Sequence, residues 1–370
     1  MNTILRASRV ITGQHDLTDA WVHIDDDRIL AVGQGDATLE PTEQIEGWLL
    51  PGFVDVHVHG GGGGSFSRGE VELAAGFHRQ HGTTTMLASL VSEPIDDIIA
   101  QVQHLLPFVN NGMVAGIHLE GPFLAARRCG AHDPKLLISP DADTVERVVA
   151  AGQGSIKMVT IAPELPGALD AIRLFRDRGI IAALGHSDAD GSLAGQAVDA
   201  GATQITHLFN GMRPLHHRET GLADVGLLDP RLLCELILDG YHLSHAATEI
   251  ALRLLGERWI AITDAIAAAG LPDGRFKLGD LDVEAHAGVV RLVEGESLAG
   301  STLTMDAAFR SIMRRFGRSA LEAVQATATR PARSLGRSDV GVIAAGARAN
   351  LLVWREDSLA RVMVNGQWIA

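Results

Sequence analysis

The chain has 370 residues, 46% of them hydrophobic and 21% charged, with a formal net charge of −14. That balance excludes disorder, exceeds what one ordinary small core needs, and offers no broad basic surface for nucleic acid. The two cysteines, Cys129 and Cys234, form no CxxC pair, which excludes a disulfide framework and suits a reducing, cytoplasmic location.

The opening MNTILRASRVITG carries Arg6 and Arg9 among its apolar positions and reads as a strand, not a signal peptide. No apolar run approaches the roughly 18 residues of a membrane span. Short β-like runs fill residues 1–50 and return in 336–370, and these two ends are expected to form one small, discontinuous β-sandwich domain. Between them, over 51–335, apolar strands alternate with amphipathic helices. The strands expected in chain order are FVDVHVH (53–59), TTTMLASL (83–90), VAGIHLE (114–120), IKMVTIA (156–162), IIAALGH (180–186), QITHLF (204–209), LLCELIL (232–238) and WIAITDA (259–265). Eight strands with helical crossovers predict an α/β fold, a parallel (β/α)8 TIM-type barrel. Ser67 with Glu70 suggests a capping box before the first helix, and residues 272–297 suggest an inserted hairpin.

In a barrel, chemistry gathers at the C-terminal ends of the strands. There the sequence places His57 and His59 on the first strand, Glu120 on the third, His186 on the fifth, His207 on the sixth and Asp264 on the eighth; Asp239 and His242 follow the seventh. Each alone admits a structural role, such as a hydrogen-bonded histidine or a helix cap. Together on one rim they form a set of divalent-metal ligands, and no shared local motif put them there. Two sites are legible: His57 and His59 with Asp264, and Glu120 with His186 and His207, Glu120 being able to bridge them. In VDVHVHGGGGG, Val54, Val56 and Val58 are expected to face the outer helices while His57 and His59 reach the barrel mouth. The glycines from Gly60 to Gly64 are expected to allow a sharp turn and leave room for a ligand. The loop MRPLHHR gathers Arg213, His216, His217 and Arg218 after the sixth strand, local positive charge that suits an anionic substrate.

These stretches resemble the N-acetylglucosamine-6-phosphate deacetylase family of the amidohydrolase superfamily. The likeness runs in order through PGFVDVHVHG, HLEGPFL, RCGAHDP, GHSDAD, THLFNGMRPLHHRETG, DGYHL, ITDAIAAAG, GSTLTMDAAF and GVIAAGARANLLVW. It implies hydrolysis of the acetamide of N-acetyl-D-glucosamine 6-phosphate to D-glucosamine 6-phosphate and acetate, in amino-sugar catabolism and cell-wall sugar recycling. Carried onto this sequence, the resemblance makes Glu120, His186 and His207 the main metal ligands and Asp264 the general base and acid. It makes His132 the group that polarises the carbonyl, and Asn210, Gly211 and His242 phosphate contacts. It also implies a homodimer in which Arg218 reaches the neighbouring subunit's site. Because this chain keeps His57 and His59, which some members replace, two divalent ions per subunit are expected, zinc first, with iron, manganese or cobalt as alternatives. Cys129 lies in the same loop as His132; it reads as a free thiol, with a substrate-contacting or redox-sensitive role as the other reading. The competing functions are deacetylation of N-acetylgalactosamine 6-phosphate, hydrolysis of another N-acyl substrate, or a non-catalytic barrel that has lost its ligands.

Overall fold

The structure, a computed structural model, describes residues 2–35, 40–295 and 297–369. Four strands open the chain: β1 (Asn2–Ile11), β2 (Asp16–Asp25), β3 (Arg28–Gln34) and β4 (Glu43–Pro51). Alternation buries one face of them; in β2, Ala20, Val22 and Ile24 are buried while Trp21 and His23 stay partly exposed.

The parallel strands follow as β5 (Phe53–Asp55), then, after the short hairpin strands β6 (Gly60–Gly61) and β7 (Gly64–Ser65), β8 (Thr83–Leu90), β9 (Gly116–Glu120) and β10 (Ile156–Ile161). β11 (Ile181–Leu184), β12 (Gln204–Ile205), β13 (Leu233–Ile237) and β14 (Trp259–Ile262) complete the set. β5 and β8–β14 make one eight-stranded sheet in sequence order, every neighbour parallel. All eight residues of β8 are buried, as expected where helices cover one face and side chains fill the other. Beyond the strand ends the Asp264 N–H donates to His57 O at 2.9 Å, which draws the two ends of the sheet together and all but closes the barrel.

Three strands then form an antiparallel meander, β15 (Gly274–Leu278), β16 (Leu281–His286) and β17 (Val289–Leu292), one strand more than the expected hairpin. β18 (Leu351–Arg355), β19 (Ser358–Val364) and β20 (Gln367–Trp368) return to the first four strands, giving a seven-stranded sheet ordered β20-β19-β18-β4-β1-β2-β3. Both chain ends therefore share one sheet, and residues from β1, β2, β4, β18 and β19 meet in a single apolar cluster, so the sheet curls over its own core.

The chain divides into two compact units, Met1–Asp55 with Gly76–Met86 and Thr304–Ala370, and Val56–Ala75 with Leu87–Leu303. In the first, Phe309 packs edge-on to Trp354 and tilted against Phe53, with ring centroids 4.8 and 5.5 Å apart. In the second lie all the expected metal ligands. The helix after Ser67 starts at Val71, and the Glu70 carboxylate accepts from the Ser65 N–H at 3.0 Å, so the cap reaches back to Ser65 and not to Ser67.

The glycine run makes the expected sharp turn, with Gly62 and Gly63 at φ 59° and 90° between β6 and β7, but not the expected room for a ligand. The His59 and Gly60 N–H groups both donate to Ala265 O, Gly62 N–H donates to Ala269 O, and Gly63 N–H to Ala267 O. A Cβ on Gly60 would lie 2.3 Å from Gly64 O and 3.1 Å from Ala267 N. The hairpin thus lies flat on the chain that follows β14, and none of the five glycines lines the cavity beside the ligands. Gly60→Ala is expected to cost more than about 2 kcal/mol and to lower the apparent Tm by several degrees. Gly76→Ala, within the helix Val71–Gln80 and with open space at its Cβ, is expected to leave Tm unchanged or raise it. Thermal denaturation of the two variants checks this.

Candidate active site

The site is built where the parallel strands stop. His186, His207 and Asp264 each leave their strand with positive φ, 46°, 26° and 50°. Left-handed backbone costs about 1–2 kcal/mol at a non-glycine residue. It is held here by Ala125 N–H on His186 O (3.0 Å), Asn210 N–H on His207 O (3.0 Å) and Ser301 N–H on Asp264 O (2.7 Å). The expected strands 53–59 and 204–209 are accordingly shorter, ending at Asp55 and Ile205.

Glu120 stands at the centre, and its two oxygens face different histidines. Oε1 lies 2.9 Å from His207 Nε2 and 3.1 Å from His186 Nε2. Oε2 lies 3.1 Å from His59 Nε2, 3.5 Å from His57 Nε2 and 3.6 Å from His132 Nε2. Asp264 Oδ1 lies 3.4 and 3.5 Å from the Nε2 atoms of His59 and His57. Donor atoms of His57, His59, Glu120 and Asp264 all fall within 4.8 Å of one another, as do those of Glu120, His132 and His186.

Imidazole nitrogens and carboxylate oxygens gathered so closely form a set able to hold a cation, and the outer hydrogen bonds fix which nitrogens face the centre. His57 Nδ1 is 3.0 Å from Glu235 Oε2, and His186 Nδ1 is 2.8 Å from Arg128 O. Each Nδ1 therefore carries the proton and leaves the Nε2 lone pair for the centre, the usual arrangement behind a metal-ligating histidine. Burial works against a charge on His57 and His59, yet the carboxylates of Glu120 and Asp264 raise both, His57 well above the ordinary imidazole value. Burial likewise pushes Glu120 up, but His57, His132, His186 and His207 hold it well below the usual carboxylate range. The donor set is the nitrogen and oxygen chemistry that suits zinc and similar divalent ions. The residues fit the group.

These side chains open onto a cavity of about 250 Å³, walled also by Asn210, Gly211, His242 and Leu278. Gly211 has φ 61°, and a Cβ there would sit 2.9 Å from His186 Nδ1. His242 Nδ1 is 2.7 Å from Asp239 Oδ2; burial lowers its pKa, but Asp239 and then Asp264 outweigh that and raise it, which favours the charged imidazole on the cavity wall, the form suited to an anion. His132 is different: burial pushes it below the ordinary value, and its Nδ1 accepts from Ser92 N–H at 3.4 Å. A neutral ring held that way carries its proton on Nε2, the atom that faces Glu120.

Five expected substrate-side residues, Cys129 and the loop residues Arg213, His216, His217 and Arg218, sit off the cavity wall. Cys129 precedes the lining residues Gly130, Ala131 and His132, and burial raises its thiol above the ordinary value, away from reactive thiolate. Arg218 is exposed, 2.7 Å from His217 Nε2. Arg213 is tied by a 2.8 Å bond to Asp188 O and does not face the cavity. Two buried ionisable residues in contact with the ligand histidines went unread in the sequence, His118 and Glu235. Each had a signal: His118 stands two places before Glu120 on the same strand face, and Glu235 is a carboxylate inside the apolar run LLCELIL.

Residues 48–369 match the model of the amidohydrolase family. N-acetylgalactosamine-6-phosphate deacetylase of Escherichia coli O157:H7 is 36% identical, with 95% of each chain covered. N-acetylglucosamine-6-phosphate deacetylase of Vibrio furnissii is 34% identical, covering 98% of this chain and 94% of the relative. Among solved structures, a mutant N-acetyl-D-glucosamine-6-phosphate deacetylase of Mycobacterium smegmatis in complex with N-acetyl-D-glucosamine-6-phosphate is 42% identical, with a TM-score of 0.97 over 99% of both chains. With that match over most of its length, and a ligand set that fits a divalent ion, the chain belongs to the amidohydrolase family of metal-dependent hydrolases.

Proposed function

We propose that the protein hydrolyses the acetamide of N-acetyl-D-glucosamine 6-phosphate, releasing acetate and D-glucosamine 6-phosphate in amino-sugar catabolism. The observation that carries this reading is the division of Glu120 between two sets of imidazoles beside Asp264, at the floor of a cavity of about 250 Å³. His57, His59, Glu120 and Asp264 would hold one divalent ion and Glu120, His186 and His207 a second, zinc foremost, with iron, manganese or cobalt as alternatives. Such ions supply Lewis acidity, polarising the amide carbonyl and making water a stronger acid. Asp264, a carboxylate at neutral pH, takes the proton from the attacking water and passes it to the amine as the C–N bond breaks. His132 Nε2–H donates to the carbonyl oxygen as it gains charge. Asn210, Gly211 and His242, whose charged form Asp239 favours, hold the phosphate end, and in a homodimer Arg218, exposed at the end of its loop, completes that contact from the second copy. The expected location is cytoplasmic; no helix among the described residues is long and apolar enough to cross a membrane.

A second substrate has specific support, because the Escherichia coli relative is named for the galactosamine epimer. Comparing kcat/KM on N-acetylglucosamine 6-phosphate, N-acetylgalactosamine 6-phosphate and unphosphorylated N-acetylglucosamine decides between them. The glucosamine ester is expected to lead and the unphosphorylated sugar to fall by at least 10²-fold, which is about 2.7 kcal/mol of transition-state binding. A higher value on the galactosamine ester would reassign the substrate. A non-catalytic role would be expected to leave the ligand set incomplete; against it, His57, His59 and Asp264 group with Glu120, and His186 and His207 lie 3.1 and 2.9 Å from its other oxygen.

A further inference from the structure

Beneath the ligand cluster lies a carboxylate that the proposed chemistry leaves unused. We propose that Glu235 is a positioning residue: it holds His57 by its outer nitrogen and His207 by its backbone, and its negative charge tightens the grip of His57 on metal. The inference rests on the two-ion reading given above.

Glu235 is fully buried in β13, between Cys234 and Leu236, whose side chains point to the opposite face. Its carboxylate accepts three hydrogen bonds. Oε2 takes the proton of His57 Nδ1 at 3.0 Å and the His207 N–H at 3.1 Å. Oε1 takes an amide proton of Gln204 at 2.7 Å. A carboxylate this deep persists only where its hydrogen bonds are complete and its charge meets a positive partner. Two of the three donors are neutral amides, so the charge is directed at His57.

The consequences run to both halves of the centre. A proton locked on His57 Nδ1 leaves the Nε2 lone pair in place, 3.2 Å from His59 Nε2 and 3.5 Å from Asp264 Oδ1. A carboxylate behind an imidazole also raises the basicity of the ligating nitrogen. The bond to the His207 N–H fixes the residue whose φ of 26° turns its ring toward Glu120. His118, packed edge-on to His57 with ring centroids 4.5 Å apart, does not share this task. Its two nitrogens are taken by Ser89 Oγ and Thr160 Oγ1, each at 2.9 Å.

Glu235→Gln removes the charge while keeping the shape. With the Gln204 amide reversed, the new side chain still accepts from His57 and His207 and donates to Gln204. Apo protein would be titrated with zinc against a chromophoric chelator, for the parent chain, Glu235→Gln and Glu235→Ala, with thermal denaturation alongside. Two zinc ions are expected in the parent. In Glu235→Gln, one of them is expected to weaken by roughly 10–100-fold and the other to stay within about threefold. Glu235→Ala, if it folds, should lose more. A residue that only braced the fold would lower Tm and leave the ratio of the two affinities unchanged. Two ions in the parent with unchanged affinities in Glu235→Gln would overturn the inference alone. A parent chain that takes up a single ion would overturn the two-ion reading, and this inference with it.

Discussion

Asp264→Asn is expected to lower kcat by about 10³–10⁴-fold while the protein stays folded and holds its metal. The asparagine keeps the size of the side chain and both backbone bonds, from Asp264 N–H to His57 O at 2.9 Å and from Ser301 N–H to Asp264 O at 2.7 Å. It also keeps one oxygen for the ligands. What it loses is the capacity to accept and return a proton. Burial pushes the Asp264 carboxyl up, but His57 and His59 pull it below the ordinary aspartate value. A base works only when deprotonated, so its activity should fall away only on the acid side of that value. The parent rate is therefore expected to be insensitive to this group across neutral pH. Acetate release measured beside metal content separates the two roles given to this residue. Near-normal kcat in the variant would remove Asp264 as the proton carrier; loss of metal with loss of rate would make it a ligand first.

The barrel was legible because its strands are apolar runs of regular spacing, and because buried parallel strands leave little doubt about which segments lie inside. The site was legible for a narrower reason: histidines and carboxylates are costly at strand ends unless something uses them. The backbone turn at each strand end was not legible. His186 and Asp264 take positive φ through hydrogen bonds from Ala125 and Ser301, distant in sequence, and no local pattern encodes that, while the bond on His207 comes from nearby Asn210. VDVHVH alternates like a strand throughout, yet the ladder stops at Asp55, because Val58 N–H turns to Ser89 Oγ and His57 O to Asp264. Glycine identity at 60–64 pointed to a sharp turn and to room for a ligand; the turn is there, but what lies against the hairpin is the backbone after β14. Glu235 escaped notice because an apolar run with one acid in it reads as a strand with an exception, although the exception was the informative residue.

Glu120→Gln is expected to have an effect at least as large as that of Asp264→Asn, through a different cause. The two oxygens of Glu120 face different groups, His186 and His207 on one side and His57, His59 and His132 on the other. An amide offers one oxygen and one NH₂, so whichever way it turns, the Nε2 lone pairs of His186 and His207 or those of His57 and His59 meet a donor in place of a shared negative oxygen. One ion at least should be lost, and zinc content is expected to fall from two per chain to one or none. Turnover is expected to fall by about 10⁴-fold or more, because Asp264 and His132 then act on a carbonyl and a water that nothing has polarised. Thermal denaturation gives a reading independent of rate. An ion that binds only the folded chain stabilises it by about 4 kcal/mol at 1,000 times its Kd. Saturating zinc should therefore raise the apparent Tm of the parent by several degrees and that of Glu120→Gln by much less. Equal shifts in the two proteins, with two zinc ions still bound to the variant, would mean that Glu120 is not shared between the ions, and that His186 and His207 would have to hold theirs without it.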